Sequence, residues 1–271
     1  MIHFAKRMLL LVVGFYLALL MLAAFLSDKV IFQPHPPSYR DDAGILKLTT
    51  RSGYKISALY LHNPAARYTL LVSHGNAEDL GDDRFWLEDL QRAGFNVLAY
   101  DYEGYGTSEG QPSEHAAYSD EDAAYEYLTS ALRTAPDNII ILGRSVGSGP
   151  AVHLAARKSV AGVILQSPFV SAFRVLTRIP LLPFDKFPNY KDIHDVHCPL
   201  LIIHGDSDNV IAQWHGRKLF DLANQPKKFV GIQGAGHDDL AMVAGKTYTQ
   251  ILSQFTAFVS NHQAERAAQV R

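Results

Sequence analysis

Ser145, Asp208 and His237 are three residues whose types suit covalent acyl-transfer chemistry and whose surroundings set them apart. A serine hydroxyl is a poor nucleophile until a base removes its proton, and a histidine titrating near neutrality can take that proton and return it. A carboxylate behind the imidazole fixes its tautomer and stabilises the imidazolium. Ser145 lies in Gly143-Arg144-Ser145-Val146-Gly147, a G-x-S-x-G turn. That turn follows the apolar run Ile139-Ile140-Ile141-Leu142 and precedes small residues at helical spacing, Pro150 to Ala156. The pattern places a serine on a sharp strand-to-helix turn, where side chains at the flanking glycines would collide with neighbours. Helix N–H groups beyond it point at any negative charge that develops.

These residues need elements to carry them. Tyr68–Ser73, Asn96–Tyr100, Ile139–Leu142, Gly162–Gln166, Leu200–His204 and Lys228–Gln233 read as strands, most of them short continuous apolar runs. Helical patterns around Phe85–Leu90, Ala116–Leu132, the stretch after Ser145, Ala212–Ala223 and Tyr248–Asn261 alternate with them. Alternation of this kind predicts a mostly parallel, doubly wound α/β sheet with the site in the loops at the carboxyl ends of the strands. Gly44–Thr50 and Tyr54–His62 predict an antiparallel pair joined through Arg51-Ser52-Gly53. Ser145, Asp208 and His237 all fall in strand-end loops, in the chain order Ser…Asp…His. The backbone N–H groups of Val146 and Asn76, the latter in the His74-Gly75-Asn76 turn, are expected to face the oxyanion.

The rest of the chain sets limits. Its 271 residues suit one domain with a sizeable core, and a formal charge of −2 without a basic cluster gives no support for nucleic-acid binding. Cys198 is the only cysteine, so internal disulfides and zinc–thiolate sites are excluded. Met8–Leu26 is apolar throughout and long enough to cross a bilayer as a helix; a cleaved signal peptide, with Ala23-Ala24 to serve a peptidase, is the rival reading, though its core is usually shorter. Residues 1–7 form a basic flank, with Lys6 and Arg7 favouring a cytoplasmic N-terminus and an extracytoplasmic domain. The expected organisation is a membrane-spanning signal anchor over 8–26, a stiff Pro-rich linker over 27–38 holding the domain off the bilayer, a hydrolytic domain over 39–262 and a tail over 263–271. The break in rhythm over about 171–196 reads as a short lid. Its apolar residues Ile179, Leu181, Leu182, Phe184 and Phe187 suit either packing or contact with an acyl chain or lipid surface.

Other groups read as structural. Asp206 rivals Asp208, and either could cap the following helix. His204, Asp206 and Asp208 lack the further ligands of a metal site. His74 suits a tether for its own loop, and Cys198 a small buried apolar residue. The glycine-rich segment Glu103–Gly110 lacks the Lys-Ser/Thr ending of a phosphate loop and reads as a wall of the site.

Together HGNAEDLG, YDYEGYGTSEGQPSE, LGRSVGSGP, LQSPF, LLIIHGDSDNVI and GAGHDD resemble the α/β-hydrolase superfamily, from about Tyr39 to His262. HGNAEDLG and EGYGTSEG bring the chain nearest the membrane-associated branch that contains the mammalian protein depalmitoylases. The resemblance implies an α/β-hydrolase fold with Ser145 as nucleophile, Asp208 rather than Asp206 as acid, His237 as base, and Asn76 and Val146 around the oxyanion. Nothing in the chain implies a metal or organic cofactor. The resemblance also implies a membrane-anchored hydrolase of esters or thioesters whose substrate is an acylated molecule such as a lipid or a lipidated protein. A peptidase or amidase on the same fold is the alternative enzyme; a non-catalytic membrane-tethered interaction module is the alternative outside enzymes. Those depalmitoylases carry a cysteine-rich, lipidated N-terminus, where this chain has an apolar span without cysteine.

Overall fold

Short runs of β-branched and aliphatic residues become the strands of one eight-stranded sheet in a computed structural model of the chain, which describes residues 2–42 and 44–269. The strands are β1 (Ile45–Thr49), β2 (Lys55–Leu61), β3 (Thr69–Ser73), β4 (Asn96–Tyr100), β5 (Ile139–Arg144), β6 (Gly162–Gln166), β7 (Leu200–Gly205) and β8 (Lys227–Ile232). Helices α1 (Ile2–Ile31), α2 (Arg84–Arg92), α3 (Glu114–Glu126), α4 (Ser148–Ala155), α5 (Ala172–Thr177), α6 (Asn189–Asp192), α7 (Trp214–Leu222), α8 (Leu240–Ala244) and α9 (Lys246–Gln269) connect or flank them.

The spatial order is β1-β2-β4-β3-β5-β6-β7-β8. As the sequence predicts, β1 and β2 form an antiparallel pair; β2 runs antiparallel to β4, and every later pairing is parallel. From β3 the chain builds outward through β4, then returns to place β5 on the other side of β3. That reversal opens a crevice at the carboxyl ends of β3 and β5. The register pairs Ser73 with Gly143 there, so the turn after β3 and the turn holding Ser145 start side by side.

Period-two alternation splits the core. On one face Leu71, Leu98 and Ile141 pack with Ala117, Ala124 and Leu128 of the α3 region and Val152 of α4. On the other, Leu70, Val72, Ile140 and Leu142 pack under Leu87 and Leu90 of α2 and Ile251, Leu252, Phe255 and Val259 of α9. The α9 residues recur at helical spacing and form one apolar stripe. The helix outruns the expected tail: residues 263–269 are helical, and Gln263 accepts from Arg67 and donates to the Asp137 carbonyl. The last two residues of that expected tail lie outside the described ones.

Residues 27–38 begin inside the N-terminal helix. Charge at Asp28 and Lys29 ends the apolar run, but nothing breaks the helix before Pro34, and α1 continues to Ile31. The segment then lies on the domain instead of holding it away. Phe32 is buried among the rings of Tyr102, Tyr105 and Phe187. Asp28 pairs with Lys186 at 3.0 Å. Burying one phenylalanine contributes on the order of 1.5–3 kcal/mol, enough to hold a short extended segment down.

Candidate active site

Three carboxyl-end loops converge. Ser145 Oγ lies 2.9 Å from His237 Nε2, and His237 Nδ1 lies 2.8 Å from Asp208 Oδ2. The serine follows β5 directly, the aspartate follows β7 by three residues, and the histidine follows β8 by five.

The backbone at Ser145 is left-handed, with φ at 53°, an unusual conformation for a residue with a side chain. Close packing enforces it. A Cβ at Gly143 would stand 2.5 Å from the Gly147 carbonyl oxygen, and one at Gly147 would fall on the Ser73 carbonyl. Only glycines let the turn press this tightly against the end of β3. Val146 sits in the first turn that follows, where N–H groups have no partner within the helix. Asn76 stands two residues past His74, whose carbonyl also crowds Gly147, and its N–H meets no acceptor among the described residues. The two N–H groups expected around an oxyanion therefore belong to turns in direct contact.

Asp208 is held from both sides. Oδ1 accepts the N–H groups of Val210 and Ile211, and Oδ2 faces His237. Burial pushes its pKa up, but hydrogen bonds from His204 and His237 outweigh that and hold the carboxyl well below the usual carboxylate range. The carboxylate stays ionised and can accept the imidazole Nδ1–H. Asp206 has a different place: its Oδ1 accepts the Gly234 N–H at 2.7 Å and ties the loop after β7 to the loop after β8.

His74 is buried, with Nδ1 2.7 Å from the Gly75 carbonyl and Nε2 3.4 Å from Asp101, and the Tyr102 hydroxyl donates to the His74 carbonyl. It is a loop tether, as its sequence context suggests. The segment Glu103–Gly110 lies behind Asn76: the Tyr105 hydroxyl donates to Asn76 Oδ1 at 2.6 Å.

Two residues escaped the sequence reading. Arg144, inside the elbow, reaches Glu78 and Asp83 and lies 4.7 Å over the Trp86 ring. Glu78 in turn accepts the Gly75 N–H, so one ion-paired cluster clamps the loop holding Asn76 against the turn holding Ser145. The available signal was an arginine in the variable position of the elbow and a glutamate inside HGNAED, both beside the expected site. His35, Asp79 and Asp82 also meet, with donor atoms close enough to surround an ion. Their atoms are already engaged: His35 with Asp82, and Asp79 with Ser38 and the Gly81 N–H. The cluster serves as a clip between the segment after α1 and the loop after β3.

Residues 64–183 match the family described as serine aminopeptidase, S33. The chain is 41% identical over 239 residues to human alpha/beta hydrolase domain-containing protein 17B, covering 87% of this chain and 81% of that one. It is 41% identical over 202 residues to the mouse domain-containing protein 17C, covering 73% and 61%. Among solved structures, the Pyrococcus furiosus esterase Pf2001 superposes with a TM-score of 0.70 at 18% identity over 83% of this chain and 97% of that one. Est1E of Butyrivibrio proteoclasticus, solved with ferulic acid, gives 0.65 at 20% identity over 78% and 99%.

Proposed function

This chain is an α/β hydrolase of the domain-containing protein 17 family, and we propose that it is a membrane-anchored serine hydrolase that cleaves carboxylic esters or thioesters through an acyl-enzyme on Ser145. The observation that carries this reading is the continuous hydrogen-bonded line Ser145–His237–Asp208, at 2.9 and 2.8 Å.

His237 Nε2 takes the Ser145 proton as Oγ attacks the acyl carbonyl carbon. The carbonyl oxygen gathers the charge and is met by the N–H groups of Val146 and Asn76. On collapse the bond to the leaving oxygen or sulfur breaks, and the imidazolium hands it the proton. Water then repeats the attack, with His237 as base, and releases the carboxylic acid while Ser145 regains its proton. Asp208 remains a carboxylate throughout, holding Nδ1–H and stabilising the imidazolium.

An alkoxide or thiolate leaves more readily than an amine, which favours esters and thioesters over amides. Lipids and lipidated proteins are the natural substrates of an enzyme whose helix α1 is long and apolar enough to cross a membrane. The basic residues before that helix favour a cytoplasmic N-terminus and a domain on the far side.

A fluorophosphonate probe tests the chemistry. Wild-type protein should be labelled and Ser145→Ala should not; an unlabelled wild type, or equal labelling of both, ends the proposal and leaves a non-catalytic module. Turnover of acyl esters, acyl thioesters and matched amides then separates an esterase or thioesterase from an amidase.

A further inference from the structure

The lid is seated along the N-terminal helix. Its polypeptide leaves β6, forms α5 and returns through Asp185, which accepts from Ser171 Oγ at 2.6 Å and from the Phe173 N–H at 3.0 Å. Between those fastenings the loop lies on α1: the Tyr16 hydroxyl donates to the Leu181 carbonyl at 3.1 Å. Leu20, Ala23 and Ser27 continue from Tyr16 down one helical face, the first two half-buried and Ser27 buried, while the other residues from Val13 to Leu26 stay exposed. Ala23 shares an apolar crevice with Phe173, Leu176, Ile179, Leu182 and Phe184.

This contact fixes a depth. Tyr16 lies near the middle of the apolar run Met8–Leu26. From Ser27, where the helix meets the domain, it is about 16 Å away at roughly 1.5 Å per residue. The medium around the helix at Tyr16 is therefore the medium around the loop at Leu181. The side chains agree. Leu176, Ile179 and Leu181 are 80%, 60% and 50% exposed, and residues 172–184 include no acidic residue. Their only charges are Arg174, whose guanidinium lies 4.8 Å over the Tyr190 ring, and the exposed Arg178, whose long stem lets a charged head reach the interface.

Irregular backbone in hydrocarbon is costly unless its polar groups are met or absent. Pro180 and Pro183 carry no N–H. The Ile179 carbonyl accepts from Thr177 Oγ at 2.8 Å, the Ile179 N–H donates to the Thr177 carbonyl, and Tyr16 serves Leu181.

We propose that the lid loop 176–184 is a second membrane-inserting element, held at bilayer depth by α1 and contacting lipid acyl chains through Leu176, Ile179 and Leu181. The inference rests on the reading of α1 as a membrane-crossing helix. It turns the lid side of the domain toward the bilayer, so the crevice beside Ala23 opens among acyl chains.

Single cysteines at Leu176, Val13 and Asp137, each in full-length protein carrying Cys198→Ser, are labelled with an environment-sensitive fluorophore and reconstituted in phosphatidylcholine vesicles. Val13 reports the helix; Asp137 is exposed at the start of β5, the opposite end of the sheet from Ser145. The labels at Leu176 and Val13 should lose fluorescence to brominated acyl chains and resist aqueous iodide, and the label at Asp137 should do the reverse. A lipid-quenched Val13 label with an iodide-quenched Leu176 label overturns the lid proposal alone. A Leu176 label shielded from both quenchers also overturns it and assigns the patch to a second protein chain. An iodide-quenched Val13 label overturns the membrane-crossing helix and the lid proposal with it, and leaves the chemistry at Ser145 untouched.

Discussion

The backbone N–H of Gln33 donates to Asn76 Oδ1 at 2.9 Å, two residues beyond the end of α1. The same N–H also faces the Tyr105 hydroxyl at 2.9 Å, and Tyr105 bonds Asn76. The loop expected to bind the oxyanion is thus pinned by the segment that leaves the N-terminal helix. Ser38 and His35 extend the attachment to Asp79 and Asp82.

Asn76→Ala removes the acceptor that fixes this loop while keeping the backbone N–H. Stopped assays on a nitrophenyl ester should show kcat reduced by about 10- to 100-fold, within the loss of one oxyanion donor, with KM little changed. An equal rise in KM would instead mark Asn76 as a substrate-binding residue.

Phe32→Ala empties the aromatic box between the helix exit and the lid. Large-to-small core changes of this kind cost about 3–5 kcal/mol, a large share of a typical total of roughly 5–15 kcal/mol. Thermal unfolding in detergent should show a clear drop in Tm; an unchanged Tm would show that the segment after α1 detaches freely from the domain.

Asp208→Asn and Asp206→Asn separate two carboxylates of one loop. The first should lower kcat by about 10⁴-fold, because an amide no longer holds the imidazole in its working tautomer. The second keeps an acceptor for the Gly234 N–H, because a neutral amide oxygen still takes that bond, and should retain activity within about tenfold of wild type. A reversed order would move the acid to Asp206.

Arg144→Met leaves Glu78 and Asp83 without their cation beside the elbow. Removing one partner of a largely buried ion pair costs about 3–5 kcal/mol, so urea unfolding should shift to a lower midpoint. Labelling by the fluorophosphonate probe should slow in the folded variant, because the turn after β3 loses its clamp to the serine turn.

His215 gives a pH test. Its Nδ1 accepts the Val170 N–H at 3.2 Å, which requires a neutral ring. Burial, and after it the neighbouring His204, push its pKa down from 6.5 to about 4. The unfolded chain takes up a proton below about pH 6.5 and the folded one only near 4. Stability contributed by the neutral ring is therefore present above that window and lost as pH falls through it. His215→Gln should flatten the decline in unfolding free energy between those pH values; an unchanged slope would refute it.

Local chemistry made much of this protein legible. Short, largely β-branched runs such as Ile139–Leu142, bounded by turn residues, fit buried strands, and a G-x-S-x-G turn between strand and helix fits a sharp elbow, so the parallel sheet and the elbow followed from residue types. Ser145, Asp208 and His237 could be singled out because each lies in a loop just after a strand and the carboxyl ends of parallel strands gather on one edge. What needed the tertiary structure were contacts between segments distant in the chain. No periodicity reveals that Arg144 reaches Glu78 and Asp83, that Asp206 clamps a loop and leaves Asp208 to face the imidazole, or that residues after the N-terminal helix lie on the loop of Asn76. Proline content suggested a stiff spacer there; the burial of Phe32 and the hydrogen bonds of Gln33 were not legible, because their partners lie far along the sequence and only folding brings them together.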